Sequence, residues 1–229
     1  MKIDTKKTLS VLIMLLLVPT AVILGMTVFS EKQYAFTVMA VTALSCAPFF
    51  ISFEYGKHST SVIVLIAVMT ALSVAGRFVF SSVPGFKPVT ALTVLTAIYF
   101  GSEAGFMTGA LTAVISNFYF GQGPWTPFQM FAWGGAIGLC AGILAPLLKK
   151  SKVLLCAFGA FAGVLFSLMM DVYTVLWQDG GFNFTRYIAA VVSSAHFTLV
   201  YAVSNVVFLA ILAAPVGSGI ERIKKKYGL

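Results

Sequence analysis

Polar residues in this chain interrupt long apolar runs. Stretches able to cross about 30 Å of hydrocarbon as helices fall at residues 8–29, 34–53, 59–78, 128–148, 153–176 and 188–214. Residues 88–120 are apolar apart from Ser102-Glu103, flanked by Gly101 and Gly105, which predicts a tight turn joining two further helices. The first of that pair, Val89 to Gly101, has 13 residues. At 1.5 Å per residue it reaches only about 20 Å, too little to span alone. The pattern predicts an all-α polytopic membrane bundle of eight helices, with no linker or soluble domain.

Composition supports the bilayer as solvent. Apolar residues make up 59% of the 229 positions and charged residues 10%, against about 25% charged in soluble domains. The excess of 15 Lys+Arg over 7 Asp+Glu lies between spans and at the termini, so it reads as a topological signal rather than a nucleic-acid surface. With the N-terminus inside, the inner segments hold Lys2, Lys6, Lys7, Lys57, Lys149, Lys150, Lys152, Arg222, Lys224, Lys225 and Lys226. The outer ones hold Lys32, Arg77, Lys87 and Arg186, an 11 to 4 split. An even number of crossings returns ERIKKKYGL to the cytoplasm, so both termini are expected there. The first run is too long for a cleavable signal and lacks an A-x-A-like site. Cys46, Cys140 and Cys156 lie inside apolar runs without metal or disulfide spacing. No G-x-x-x-x-G-K-[ST] occurs, so ATP-driven transport would need another subunit to hydrolyse the nucleotide.

Candidate chemistry collects on the outer side. The outer loops VFSSVPGFKP (79–88), YFGQGPWTP (119–127) and WQDGGFNFTRY (177–187) mix Gly or Pro with aromatics and neutral hydrogen-bonding groups. Small-molecule sites have that make-up, and the short helix after Pro88 could leave a hollow above it, as interrupted helices do in transporters. Asn117, Tyr119, Gln122, Trp125, Phe128, Gln129 and Trp133 lie close together in sequence. Asn117 and Gln129 fall inside apolar segments where an unpaired amide is costly. An interfacial aromatic belt needs no such amides. Lys87 and Trp177 belong to the same set of outer residues. Asp171, about two turns inside its span, is a site candidate because hydrocarbon penalises a carboxylate. Its partner is expected among Arg186, His196 and Arg77, and the pairing could be structural or ligand-directed. Asn205 reads as interhelical glue. Small residues recur every fourth position at Ala67, Ala71 and Ala75 and at Gly134, Gly138 and Gly142. Each stripe permits close backbone approach, and for the glycines this is read as internal packing.

Residues 60–214 resemble the membrane S components of energy-coupling-factor (ECF) vitamin transporters. The motifs are a helix ending in ALSVAGRFVF, the extended VPGFKPVTAL, and SNFYFGQGPWTPFQM, followed by a basic tail. The resemblance implies a six-helix core over 59–229, with residues 1–58 as two additional N-terminal helices. It also implies that Ala67, Ala71 and Ala75 dock on a transmembrane coupling subunit, beside two cytosolic ATPases. Its implied role is binding rather than catalysis: the subunit captures a vitamin outside and topples in the bilayer to release it. Within the family the chain looks most like the cobalamin type. Cobalamin would then be the transported ligand, with no intrinsic cofactor, no metal and no nucleic-acid partner. Alternatives are an S component for another micronutrient or vitamin precursor, and a stand-alone ion-coupled carrier using Asp171. A membrane enzyme is disfavoured because only Asp171 and His196 lie well inside spans.

Overall fold

The computed structural model describes residues 59–228 and, before them, the helical positions 40, 42–44, 46, 47, 50 and 53. The expected span 8–29, and all of 34–53 except those positions, lie outside the described residues. So does most of the expected N-terminal unit 1–58. Every regular element of the described part is helical.

Helix α1 (Thr60–Val79) starts where the Ser59 side chain accepts the Val62 N–H, which satisfies one of the orphan donors of a first turn. After the loop 80–88, α2 runs over Val89–Phe100 and α3 over Ser102–Phe120. Gly101 alone makes the reversal, at φ +96°, a region open to a residue without Cβ. Ser102 and Glu103, expected within the turn, already belong to α3. Every residue from Val89 to Ile98 is buried. A helix that is apolar all round belongs inside a bundle, so α2 is a central rod and need not match the bilayer thickness.

The expected helix 128–148 proves to be a composite. It begins earlier as α4 (Trp125–Met130), widens into a π-helix at Phe131–Gly138, and continues as α5 (Leu139–Ile143) and α6 (Ala145–Leu148). The glycine stripe packs this rod onto α3, as expected. A Cβ on Gly138 would lie 2.7 Å from the Gly105 carbonyl carbon, and one on Gly134 would lie 2.6 Å from the Phe106 carbonyl oxygen. Gly142 stands against Ser102 in the same way.

Helix α7 (Lys152–Asp179) is capped by Ser151 and closed by Gly180 in the left-handed region. Asn183 then opens α8 (Phe184–Tyr227), accepting the Arg186 N–H at 3.1 Å. The expected last span, 188–214, is therefore only part of a 44-residue helix that carries Pro215 and the basic tail. Helices α7 and α8 pack along each other, and Asn205 Nδ2 donates to the Gly159 carbonyl at 3.0 Å between them, the interhelical bond expected of it. Among the described residues, α1, α7 and α8 are long and apolar enough to cross a membrane. On α1, the stripe Ala67, Ala71 and Ala75 is exposed, beside the exposed Ile63, Val64, Val68 and Leu72.

Candidate functional site

Three groupings occupy the half of the bundle that the charge rule turns outward. The first is a buried polar network joining α1, α3 and α4. Asn117 has no exposed surface, and its side chain meets three partners. Its Oδ1 accepts from Arg77 Nη1 at 2.8 Å, and its Nδ2 donates to Thr126 Oγ1 at 2.8 Å and Gln129 Oε1 at 2.9 Å. Arg77 also donates to Ser116 Oγ. Thr126 Oγ1 donates to Gln122 Oε1 at 2.9 Å, and Gln122 Nε2 donates to the Val114 carbonyl at 2.8 Å. These amides fold the 121–124 turn back on α3. Buried polar groups must be paired, so the amides that the sequence marked as costly are spent on each other.

The second grouping is an aromatic nest around Lys87. Trp133, 1% exposed and projecting from the π-helix, stacks on Phe166 of α7, with centroids 4.8 Å apart and planes 7° apart. Tyr201 of α8 meets Phe166 edge-on at 5.1 Å. The Lys87 ammonium lies 5.2 Å from the Trp133 ring, 5.5 Å from Phe166 and 5.3 Å from Tyr201. Such faces attract a cation through the ring quadrupole. Burial, and then the Arg77 charge, lower the Lys87 pKa to about 7. The backbone at Lys87 is pinned from both sides: its N–H donates to Ser204 Oγ at 2.9 Å, and the Ser204 hydroxyl donates to its carbonyl at 3.2 Å. The loop also sets Phe80 and Phe86 against Phe208 of α8.

Open space lies beside this nest. A cleft of about 440 Å³ between the outer halves of α7 and α8 is lined by Asp171, Thr174, Gln178, Ser193, Ser194 and Phe197, among others. Asp171 Oδ2 accepts from Ser194 Oγ at 2.7 Å. None of the three partners expected for Asp171 fills that role: Arg186 pairs with Asp179 at 3.2 Å, Arg77 serves the amide network, and His196 is exposed against Phe197. Phe166 precedes Asp171 by five residues, so at 1.5 Å per residue the nest sits about 7.5 Å below the carboxylate along α7.

The remaining predicted residues scatter. Phe128 is buried against Tyr173 and Leu176 on α7. Half-exposed Trp177 lies over Tyr173 with ring centroids 6.4 Å apart. Trp125 packs on its own turn, over Gly123. Tyr119 is 74% exposed and stands edge-on to Phe78 of α1, so it faces away from both nest and cleft. The sequence reading missed Phe166, Tyr201, Ser194 and Ser204. Only the Tyr201 hydroxyl, set inside an apolar span, was a signal. Among the described residues no three His, Cys, Asp or Glu side chains converge as metal ligands.

One comparison decides the family. The family model described as "ECF-type riboflavin transporter, S component" matches residues 57–222, most of the chain. The chain belongs to that family. It is therefore a membrane-embedded ECF S component, the substrate-binding subunit of a transporter that also comprises a coupling subunit and ATPases. No curated protein and no solved structure matches it. The expected cobalamin ligand finds no support in this match, because the family description names riboflavin.

Proposed function

We propose that this S component captures a flavin from outside the cell. The observation that carries the reading is the match of residues 57–222 to a family described by riboflavin transport. The size of the cleft agrees. Its roughly 440 Å³ lies within the range of about 300–1,000 Å³ usual for small-molecule sites. That suits a three-ring heterocycle with a polyol tail far better than the much bulkier corrin of cobalamin. Asp171, Ser194, Thr174 and Gln178 offer acceptors and donors for the tail hydroxyls, and Phe197 and Val175 offer apolar surface for the ring. Trp133 and Lys87 support the site from below as part of the nest, while Asn117, Gln122 and Gln129 hold the outer turn.

ATP-driven movement of the ligand inward requires partners, since the sequence has no P-loop. The exposed Ala67, Ala71 and Ala75 give α1 a smooth stripe on which a helix of the coupling subunit can lie closely, and the two cytosolic ATPases act through that subunit. Two measurements test the reading. Mass spectrometry of the purified protein should find a retained flavin. Flavin uptake in cells carrying the protein should disappear when the ATPase genes are deleted. Uptake that persists and follows only an ion gradient would make the protein a secondary carrier.

A further inference from the structure

A second pocket lies at the opposite end of the bundle, where α2, α6, α7 and α8 meet. It has a volume of about 220 Å³, and Leu95, Ile98, Leu148, Leu155 and Ala214 contribute its apolar wall. Lys149 and Lys152 stand on its rim, with Tyr99 between wall and rim. Lys149 Nζ lies 4.8 Å over the Tyr99 ring. Lys224, from the far end of α8, donates to the Tyr99 carbonyl at 2.8 Å and lies 5.2 Å from the Phe100 ring. Two ammonium groups are thus drawn to one tyrosine, and repulsion from Lys224, after burial, lowers the Lys149 pKa; Glu221 opposes the shift. Among the described residues, none of Lys149, Lys152 and Lys224 forms an ion pair with a carboxylate.

We propose that this pocket binds an anionic phospholipid of the inner leaflet, its phosphate between Lys149, Lys152 and Lys224 and its upper acyl chain against the Leu95–Leu155 wall. The charge rule puts this end of the bundle at the cytoplasmic membrane surface, where basic pockets between transmembrane helices take acidic headgroups. Three ammonium groups gather here against one nearby carboxylate, Glu221, with none of them in an ion pair among the described residues, and the surplus positive charge calls for an anion. A free phosphate would use the rim alone, and a zwitterionic lipid would leave the positive charge unbalanced. The walls of the pocket come from four helices, so the lipid would bridge the tail of α8 to the central rod. The site is remote from the α7/α8 cleft, and the proposal stands or falls independently of the flavin reading.

The test uses the full-length protein, delipidated in detergent and titrated with dioleoylphosphatidylglycerol or dioleoylphosphatidylcholine under native mass spectrometry. The parent should retain the anionic lipid with about a tenfold preference, the scale set by a few lysines at a membrane surface. Lys149→Gln/Lys152→Gln changes only exposed side chains and should reduce the preference to the small remainder that Lys224 supplies. Ala214→Trp fills the pocket mouth from an exposed position and should lower retention of phosphatidylglycerol with all lysines present. An unchanged preference in the lysine variant would overturn the proposal. So would unchanged retention in Ala214→Trp, which would reduce the effect to adsorption by charge. Inorganic phosphate displacing the lipid at equal concentration would mean a simple anion site. Loss of coupling-subunit capture in both variants, without any lipid preference in the parent, would assign the pocket to that subunit instead.

Discussion

Replacing Asn117 by alanine should weaken the protein by about 3 kcal/mol, because this one side chain joins three elements. The charged bond from Arg77 at 2.8 Å is worth roughly 1.5–3 kcal/mol. The bonds to Thr126 and Gln129, at 2.8 and 2.9 Å, are worth about 0.6 kcal/mol each on the scale measured between membrane helices. Arg77 keeps Ser116 after the change, which limits the loss. Gln129 loses its donor and remains buried, so Asn117→Ala/Gln129→Met should cost less than the sum of the two single changes, by about 1 kcal/mol. The assay is reversible unfolding in mixed micelles with increasing SDS, read by tryptophan fluorescence. A loss of about 3 kcal/mol corresponds to roughly two decades in the folding equilibrium. A loss below about 1 kcal/mol, or strict additivity in the double variant, would refute the claim that Asn117 is the hub.

Three further outcomes follow from the geometry. Ala71→Trp should leave ligand binding by the isolated subunit intact and reduce its co-purification with the coupling subunit, since position 71 is exposed on α1; equal complex yield would exclude the stripe from the interface. Gly138→Val forces a side chain against the Gly105 backbone and should destabilise by about 1–3 kcal/mol or more in the same SDS assay, whereas Gly219→Val, with no neighbour within 4 Å of its Cβ position, should cost far less. Lys87 binds its proton less tightly when folded, at about 7 against an ordinary 10.5. The unfolded chain therefore holds more protons between those values, and stability should rise with pH across that window. Lys87→Met should remove the rise, and an identical slope in parent and variant would assign it to other groups.

The sequence made the short rod and the amide network legible for separate reasons. A glycine before Ser-Glu in an otherwise apolar run can only be a reversal, and Gly101 makes it. Asn117 and Gln129 had to find partners because hydrocarbon offers none, and they found each other. The π-helix at Phe131–Gly138 was not legible, because FAWGGAIG is apolar at any helical period and so carries no mark of a local change in helical pitch. The length of α8 was hidden for another reason. Hydropathy marks where an apolar run ends, but a helix can continue past it, as α8 does over 215–227. Asp171 was recognised as needing a partner, yet charge logic pointed to Arg186, His196 and Arg77. A serine one helix away, at 194, satisfied it, and nothing in a sequence separates that serine from its neighbours.

The central claim is that this subunit holds a flavin in its outer half. The direct measurement is titration of riboflavin with purified protein, following flavin fluorescence, with excess cobalamin as competitor. The account predicts saturable quenching that ends at one flavin per chain, is untouched by cobalamin, and weakens in Asp171→Asn/Ser194→Ala. Unquenched fluorescence, or displacement of the flavin by cobalamin, would contradict it.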